Sequence, residues 1–438
     1  MKETTYFNQF ARYAGLSVLG TLGVSCYILA DTFFVANGLG TNGLAALNLA
    51  IPAFNVIIGL ALMLGMGGAT RYTIAMSRGD SAQGSRIFTA TAAAAAAAAA
   101  LFAAAGLLLP GWLAGLLGAD QDTFEMTRQY LQVVLLFAPA FTANELMLCF
   151  VRNDGAPNLA MAGMVTGSLA NILLDYIFIF PMDMGIFGAA LATGFSPIIS
   201  LAIMSRHKVK KQNNFHLTKD LSDMKNLGRT AALGIPTFVT ELSSGIVIIV
   251  FNLLILGLEG NVGVAAYGII ANISLVVIAV YNGIAQGVQP LMSQSYGGGR
   301  PEEAGLYLRY ALVTAAVVSA VIYAVIFFGA GPITAVFNSE NNPALAVIAE
   351  AGLKIYFMAI LFAGFNIILQ VYFTSREIPF PAQAISVLRG FAVIVPASYL
   401  LAETVGITGV WLSFPVTEAV VAIIGLLIYT MDKRRSLK

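Results

Sequence analysis

The chain has 438 residues, of which 58% are hydrophobic and only 10% charged. A soluble domain carries about a quarter charged residues, so the composition excludes a soluble globular protein and points to a polytopic membrane protein. The formal net charge of +1 says nothing about nucleic-acid binding, and no nucleic-acid partner is expected.

The N-terminal stretch "MKETTYFNQFARYAG" has no short apolar core followed by a small-residue cleavage site, so the first span is expected to be retained. A spanning helix needs about 20 mostly apolar residues. Segments of that kind fall near 13–35, 47–70, 87–110, 127–150, 159–180 and 186–205. They resume near 231–256, 262–290, 308–330, 350–373, 381–402 and 407–430. Twelve spans are therefore predicted. The third includes "ATAAAAAAAAALFAAAG", whose alanines favour helix and let neighbouring helices approach closely. Cys26 and Cys149 lie in apolar segments and predict neither a disulfide nor a metal site.

Basic residues set the orientation. With the N-terminus in the cytoplasm, twenty of the 23 lysines and arginines fall in cytoplasmic loops or termini, only Arg128 and Lys354 fall outside, and Arg389 lies within a span. Both termini are expected in the cytoplasm. Between the sixth and seventh spans lies "RHKVKKQNNFHLTKDLSDMKNLGR", residues 206–229, read as a basic cytoplasmic linker. No role is assigned to its histidines, His207 and His216.

The linker separates two halves that repeat each other. "GLAAL" from Gly43 matches "GVAAY" from Gly263, and "GMGGATRYTIAMSRGD" from Gly65 matches "AQGVQPLMSQSYGGGR" from Ala285, both at a shift of 220. "NELMLCFVRNDGAP" from Asn144 matches "NIILQVYFTSREIP" from Asn366 at 222, and "GIFGAALAT" from Gly185 matches "GITGVWLSF" from Gly406 at 221. Six spans per half means both halves enter the membrane from the same side. The expected fold is all-α, with twelve transmembrane helices in two pseudo-symmetric six-helix lobes. Residues 1–205 form the first lobe, 206–229 the linker and 230–438 the second lobe. Two-lobed carriers of this kind hold substrate between lobes near the midplane.

A charge at the bilayer centre costs at least about 2.5–3.5 kcal/mol, so each intramembrane ionisable residue needs a reason. Asp31 and Asp175 fall at similar depth in the outer half of the first lobe, about 27 and 24 Å along their spans. Asn171 is four residues before Asp175 and shares its helix face, which Gly167 and Ser168 continue. The pair reads as a proton or cation site, with Na+ an option if neutral oxygens complete its shell; no other metal is expected. Glu241, in "GIPTFVTELSSG", is a candidate for substrate or coupling-ion contact in the second lobe. Glu145 is expected to pair with Arg152, and Arg389 to snorkel or to pair with an acid such as Glu418.

Taken together, "ADTFFVANGLG" at 30–40, "NELMLCFVRNDGAP", "NILLDYIFIF" at 171–180, "GIFGAALAT" and "YNGIAQGVQPLMSQSYGGGR" at 281–300 resemble the MATE (multidrug and toxic compound extrusion) family of the MOP flippase superfamily. The resemblance covers essentially the whole chain. It implies a first-lobe coupling site at Asp31, Asn144, Asn171, Asp175 and Thr193. It also implies export of organic cations or amphipathic drugs in exchange for H+ or Na+, by alternating-access rocking of the lobes. The proline that some members carry early in span 1 is missing from "YAGLSVLGTLGVSCYILAD", and some members carry a Glu later in span 7 than Glu241. A multi-pass protein of the plasma (inner) membrane, monomeric, surrounded by lipid and without a cofactor or catalytic residues is expected. A lipid-linked saccharide flippase of the same superfamily and a major-facilitator porter are the alternatives. "MSRGDSAQGSRIF" fits the porter's loop motif poorly, and no nucleophile–base set suggests an enzyme.

Overall fold

The computed structural model describes residues 2–338 and 342–436. Met1, residues 339–341, Leu437 and Lys438 lie outside the described residues, and with them the extreme ends expected for the two lobes. Among the described residues all regular structure is helical.

The first half contains α1 (Lys2–Ser77), α2 (Ser81–Leu108), the short α3 (Pro110–Leu116), α4 (Phe124–Leu136), α5 (Ala138–Asn153), α6 (Pro157–Ile179) and α7 (Gly185–Met204). A short α8 (Arg206–Val209) and a 3-10 turn (Ser222–Asn226) lie in the linker. The second half contains α9 (Leu227–Gly297), α10 (Pro301–Phe337), α11 (Pro343–Tyr356), α12 (Ile360–Ser375), α13 (Pro379–Val387), α14 (Ile394–Val405) and α15 (Ile407–Ser436). Prolines stand in the first turn of α3, α5, α6, α10, α11 and α13. There the missing N–H costs nothing and the fixed φ starts a helix.

At 1.5 Å per residue α1 and α9 are each several times longer than a bilayer is thick. Both reverse at a glycine. Gly40 has φ 69° and ψ −160°, and Gly260 has φ 64° and ψ −156°, a region open essentially to glycine alone. The contacts require the reversal. Gly20 packs on Met164, Arg152 reaches the Met164 sulfur, and Tyr72 donates to Asp154, so residues 20 and 72 lie at the same end of the bundle. Likewise Thr230 meets Gly67 while Gly297 meets Ile74. With α1 and α9 each crossing twice, and with α4–α5, α11–α12 and α13–α14 each a broken span, the helices make twelve crossings. The break between α4 and α5 bends the chain by 49°.

The repeat seen in sequence returns in the backbone. Besides Gly40 and Gly260, positive φ recurs at Gly79 and Gly299, at Gly155 and Glu377, and at Gly185 and Gly406. Equivalent turns end equivalent helices in the two halves.

Each half buries an apolar core, and Phe10 and Ala14 of the first half pack into that of the second. Residues such as Phe150, Met164 and Met204, and separately Leu131, Val134 and Ile186, pack within the first. Trp411, Phe357, Phe373 and Tyr281 pack within the second. Where the halves meet, backbones touch. A Cβ on Gly67 would lie 2.0 Å from the Thr230 carbonyl oxygen, and one on Gly234 would lie 1.8 Å from that of Met63. A Cβ on Gly283 would lie 2.6 Å from the Val18 Cα, and one on Gly287 2.7 Å from that of Ala14.

Candidate functional site

Helix registers place the first-lobe polar residues. Gly20 sits on Met164, Gly23 on Ser168, and Gly38 on Ile179, so the first crossing of α1 runs parallel to α6. Tyr27 therefore falls level with Asn171, and Asp31 level with Asp175. Gly163 sits on Ser200, and Ser196 donates to the Gly167 carbonyl at 2.9 Å. Four residues on α6 thus match four on α7, which brings Thr193 opposite Asn171. Arg152 touches Met164, and from that level Asn144 lies about 12 Å further along α5 and Asn171 about 10.5 Å further along α6. The five expected residues, Asp31, Asn144, Asn171, Asp175 and Thr193, converge in one layer of the first lobe.

The chemistry of this layer is unusual for a protein interior. Asn171 and Asp175 are fully buried, and Asp31, Asn144 and Thr193 nearly so. Buried polar atoms normally have hydrogen-bond partners. Here Asp31 Oδ1, both Asp175 oxygens, both polar atoms of the Asn171 carboxamide and Asn144 Oδ1 have none. Thr193 donates to the Ala189 carbonyl at 3.1 Å and shares a hydrogen bond with the buried Tyr130 hydroxyl. Tyr130 lies within electrostatic range of both aspartates, and Tyr27 within range of Glu145, Asp31 and Asp175. The result is a cluster of oxygen donors, two of them carboxylate, with unused lone pairs in a dry setting. That donor set fits a proton or a hard monovalent cation such as Na+, whose ligands are oxygens. Among the described residues no group of three or more His, Cys, Asp or Glu side chains could hold a metal ion.

Three members of this layer escape sequence reasoning. Tyr27 had a signal, because it stands one helical turn before Asp31. Tyr130 had none, since an aromatic in an apolar span is ordinary. Glu145 is expected from the sequence to pair with Arg152. In the structure it takes a hydrogen bond from Asn144 at 3.3 Å, while Arg152 turns to Gln286 of α9 at 2.9 Å. The carboxamide across the boundary between the halves holds the guanidinium in place of the acid on its own helix. Glu241 is not among the five residues, though it lies within electrostatic range of Glu145. Its Cβ packs where a side chain on Gly59 would stand, on the second crossing of α1, and so it lies at the seam between the halves. Of the two alternatives for Arg389, snorkelling or pairing, the structure shows pairing with Glu418 at 2.8 Å.

A second polar array ties the halves together at the end that carries the termini. Arg71 grips both oxygens of Asp223 at 2.7 and 2.9 Å and also donates to Thr230 at 2.8 Å, all three side chains being buried. Gln83 and Asn226 add donors to Asp223. Gln289 donates to Thr70 and accepts from Asn153, each at 2.9 Å. Thr21 donates to the Ala279 carbonyl at 2.8 Å, and Tyr6 and Gln9 bond Glu303 and Tyr307. The linker is part of this closure. Phe215 is buried against Tyr72, Phe88 and Phe150, and His207, given no role by sequence, is buried with Nε2 2.8 Å from Asp154.

Twelve helical crossings in two repeated halves, an oxygen-lined layer inside one half and a polar seam between them define a multi-pass membrane transporter. A family model described as MatE matches residues 17–177 and 236–400, one block in each half, and the chain belongs to that family. It is 24% identical over 438 residues to the multidrug export protein MepA of Staphylococcus saprophyticus, covering 99% of this chain and 96% of that protein. It is also 24% identical over 440 residues to MepA of Staphylococcus aureus, with the same coverage. Among solved structures, the outward-facing conformation of a multidrug resistance MATE transporter of the MOP superfamily superposes with a TM-score of 0.90. That protein is 25% identical, and the match covers 97% of this chain and 95% of that one.

Proposed function

We propose that this protein exports organic cations and amphipathic drugs from the cytoplasm in exchange for inward-moving H+ or Na+, by alternating access between two lobes, residues 1–205 and 230–438. The observation that carries the proposal is the set of buried carboxylate and carboxamide oxygens at Asp31, Asp175, Asn171 and Asn144 that lack partners within the protein. An ionised carboxylate without a partner in a medium of low dielectric is expensive. A proton or a Na+ removes that cost, so the layer has a standing affinity for either. The multidrug export proteins to which the chain is similar supply the substrate class.

In this arrangement the end carrying the termini is sealed, and the basic residues gathered there support a cytoplasmic orientation for it. An ion arriving from outside neutralises Asp31 and Asp175 and changes how α1, α6 and α7 pack. Substrate is displaced outward, and the lobes then rock about the glycine-lined seam to release the ion inside. Exchange requires only that ion and drug disfavour each other's binding, and this coupling is reciprocal. In this reading Glu241, at the seam, meets the positive charge of a drug. A saccharide flippase would need free cationic groups for its anionic substrate, and here Arg389, which lies within a span, is taken by Glu418.

The test is ethidium efflux from energised cells carrying Asp31→Asn or Asp175→Asn. Both variants should reach the membrane at normal levels and lose extrusion. Undiminished efflux and resistance in both would overturn the proposal.

A further inference from the structure

The second lobe contains its own buried polar cluster, which the coupling site does not use. Arg389 donates through Nε to both Glu418 oxygens at 3.0 Å and through Nη2 to Oε1 at 2.8 Å. Asn366 donates to Glu418 Oε2 at 2.6 Å and to its backbone carbonyl at 2.9 Å. Glu418 and Asn366 are buried, and Tyr356 of α11 lies within electrostatic range of Glu418. Arg389 and Glu418 each stand about 15 Å from the nearest end of their spans, close to the middle of the membrane. Asn366 Oδ1, Gln370 Oε1 one turn further on, and Thr417 Oγ1 beside Glu418 have no hydrogen-bond partner.

The place of this cluster within its half is informative. Asn366 is the repeat counterpart of Asn144, and α12, α13–α14 and α15 are the counterparts of α5, α6 and α7. In the first lobe those three helices supply Asn144, Asn171 with Asp175, and Thr193. In the second they supply Asn366, Arg389 and Glu418. The same three-helix junction thus holds a carboxylate without a partner, Asp175, in one half, and a carboxylate closed by a guanidinium in the other. Arg389 sits in a π-helical turn, Leu388–Ala392, whose next residue, Gly390, is pressed against Ser243 of α9. Such wide turns are frequent at functional sites, and this one carries the guanidinium into the junction.

We propose that the second lobe holds a built cation site, formed by Glu418 and Asn366 and filled by the chain's own Arg389 guanidinium, so that this lobe takes up no coupling ion while Arg389 is in place. The bidentate fork that a guanidinium makes to a carboxylate is the interaction a free guanidinium ion would make there. Cutting Arg389 back to Ala leaves a pocket of guanidinium size facing Glu418 and Asn366.

The experiment uses the full chain in nanodiscs, with thermal unfolding as the readout, so it does not depend on drug transport and its failure is separate from that of the coupling proposal. Arg389→Ala should unfold at a lower temperature than the wild type. Millimolar guanidinium should recover much of the loss saturably, whereas tetramethylammonium, too large and without N–H donors, should not. The double variant Arg389→Ala with Glu418→Gln should lose that response, with guanidinium affinity falling at least about ten-fold because the charge partner is gone. If Arg389→Ala yields no folded protein, expression in cells grown with and without guanidinium supplies the measurement, and guanidinium should restore the folded yield. No response to guanidinium in either format would overturn the proposal, as would an equal response in the double variant.

Discussion

Asp31 and Asp175 illustrate what a sequence shows when its background is uniform. In a span of leucines, isoleucines and phenylalanines a carboxylate stands out, and four-residue spacing brings Asn171 to its side. What spacing along one helix cannot show is which atoms from other helices complete the layer. Tyr130 enters from α4, across a bend, through a hydrogen bond to Thr193. Glu145 enters because Arg152 is held by Gln286. These depend on packing between spans, which apolar periodicity does not encode. Tyr130→Phe keeps the ring and removes the hydroxyl. A hydrogen bond contributes about 0.5–1.5 kcal/mol net, so the ion concentration that half-saturates efflux should rise about three- to ten-fold, with drug binding unchanged. Half-saturation identical to that of the wild type would remove Tyr130 from the site.

At the scale of elements, the repeat was legible from four matched segments, and the backbone adds the reason for its persistence. Each half needs a reversal after its first crossing, and only glycine adopts the conformation found at Gly40 and Gly260. A Cβ at either would meet no neighbouring atom within 4 Å, so the penalty of substitution is purely conformational, about 1–3 kcal/mol. Gly257, three residues before the second reversal, also has open space around it but an ordinary helical backbone. Gly257→Ala should therefore stabilise by about 0.5–1 kcal/mol, while Gly40→Ala and Gly260→Ala destabilise. Thermal unfolding of the three variants checks the sign. The linker shows the opposite limit. Its charges marked it as cytoplasmic, but Phe215 and His207 could not be read as anchors, because their partners Tyr72, Phe88, Phe150 and Asp154 lie 53 or more residues away in sequence.

For the whole molecule, the proposed exchange gives the polar seam the task of deciding which side is open. Arg71 and Asp223 form a buried bidentate pair between the second crossing of α1 and the segment that leads into α9. Removing one partner of such a pair leaves a buried charge and costs about 3–5 kcal/mol, paid only in the state where the seam is closed. Arg71→Ala should therefore shift the carrier toward the cytoplasm-open state. A cysteine placed at Ser293, fully buried beside Gln289, should label faster from the cytoplasmic side in that variant, with Cys26 and Cys149 replaced. Unchanged labelling would mean that the pair does not hold the gate.

The central claim is that two unpartnered carboxylates in the first lobe convert an ion gradient into drug export. The most direct test is drug movement in proteoliposomes under a pH gradient or a Na+ gradient, each imposed alone. Transport should follow one of the two gradients in the wild type and neither in Asp31→Asn or Asp175→Asn, with the drug still bound by both variants. Gradient-driven transport that survives in the variants, or wild-type transport indifferent to both gradients, would contradict the claim.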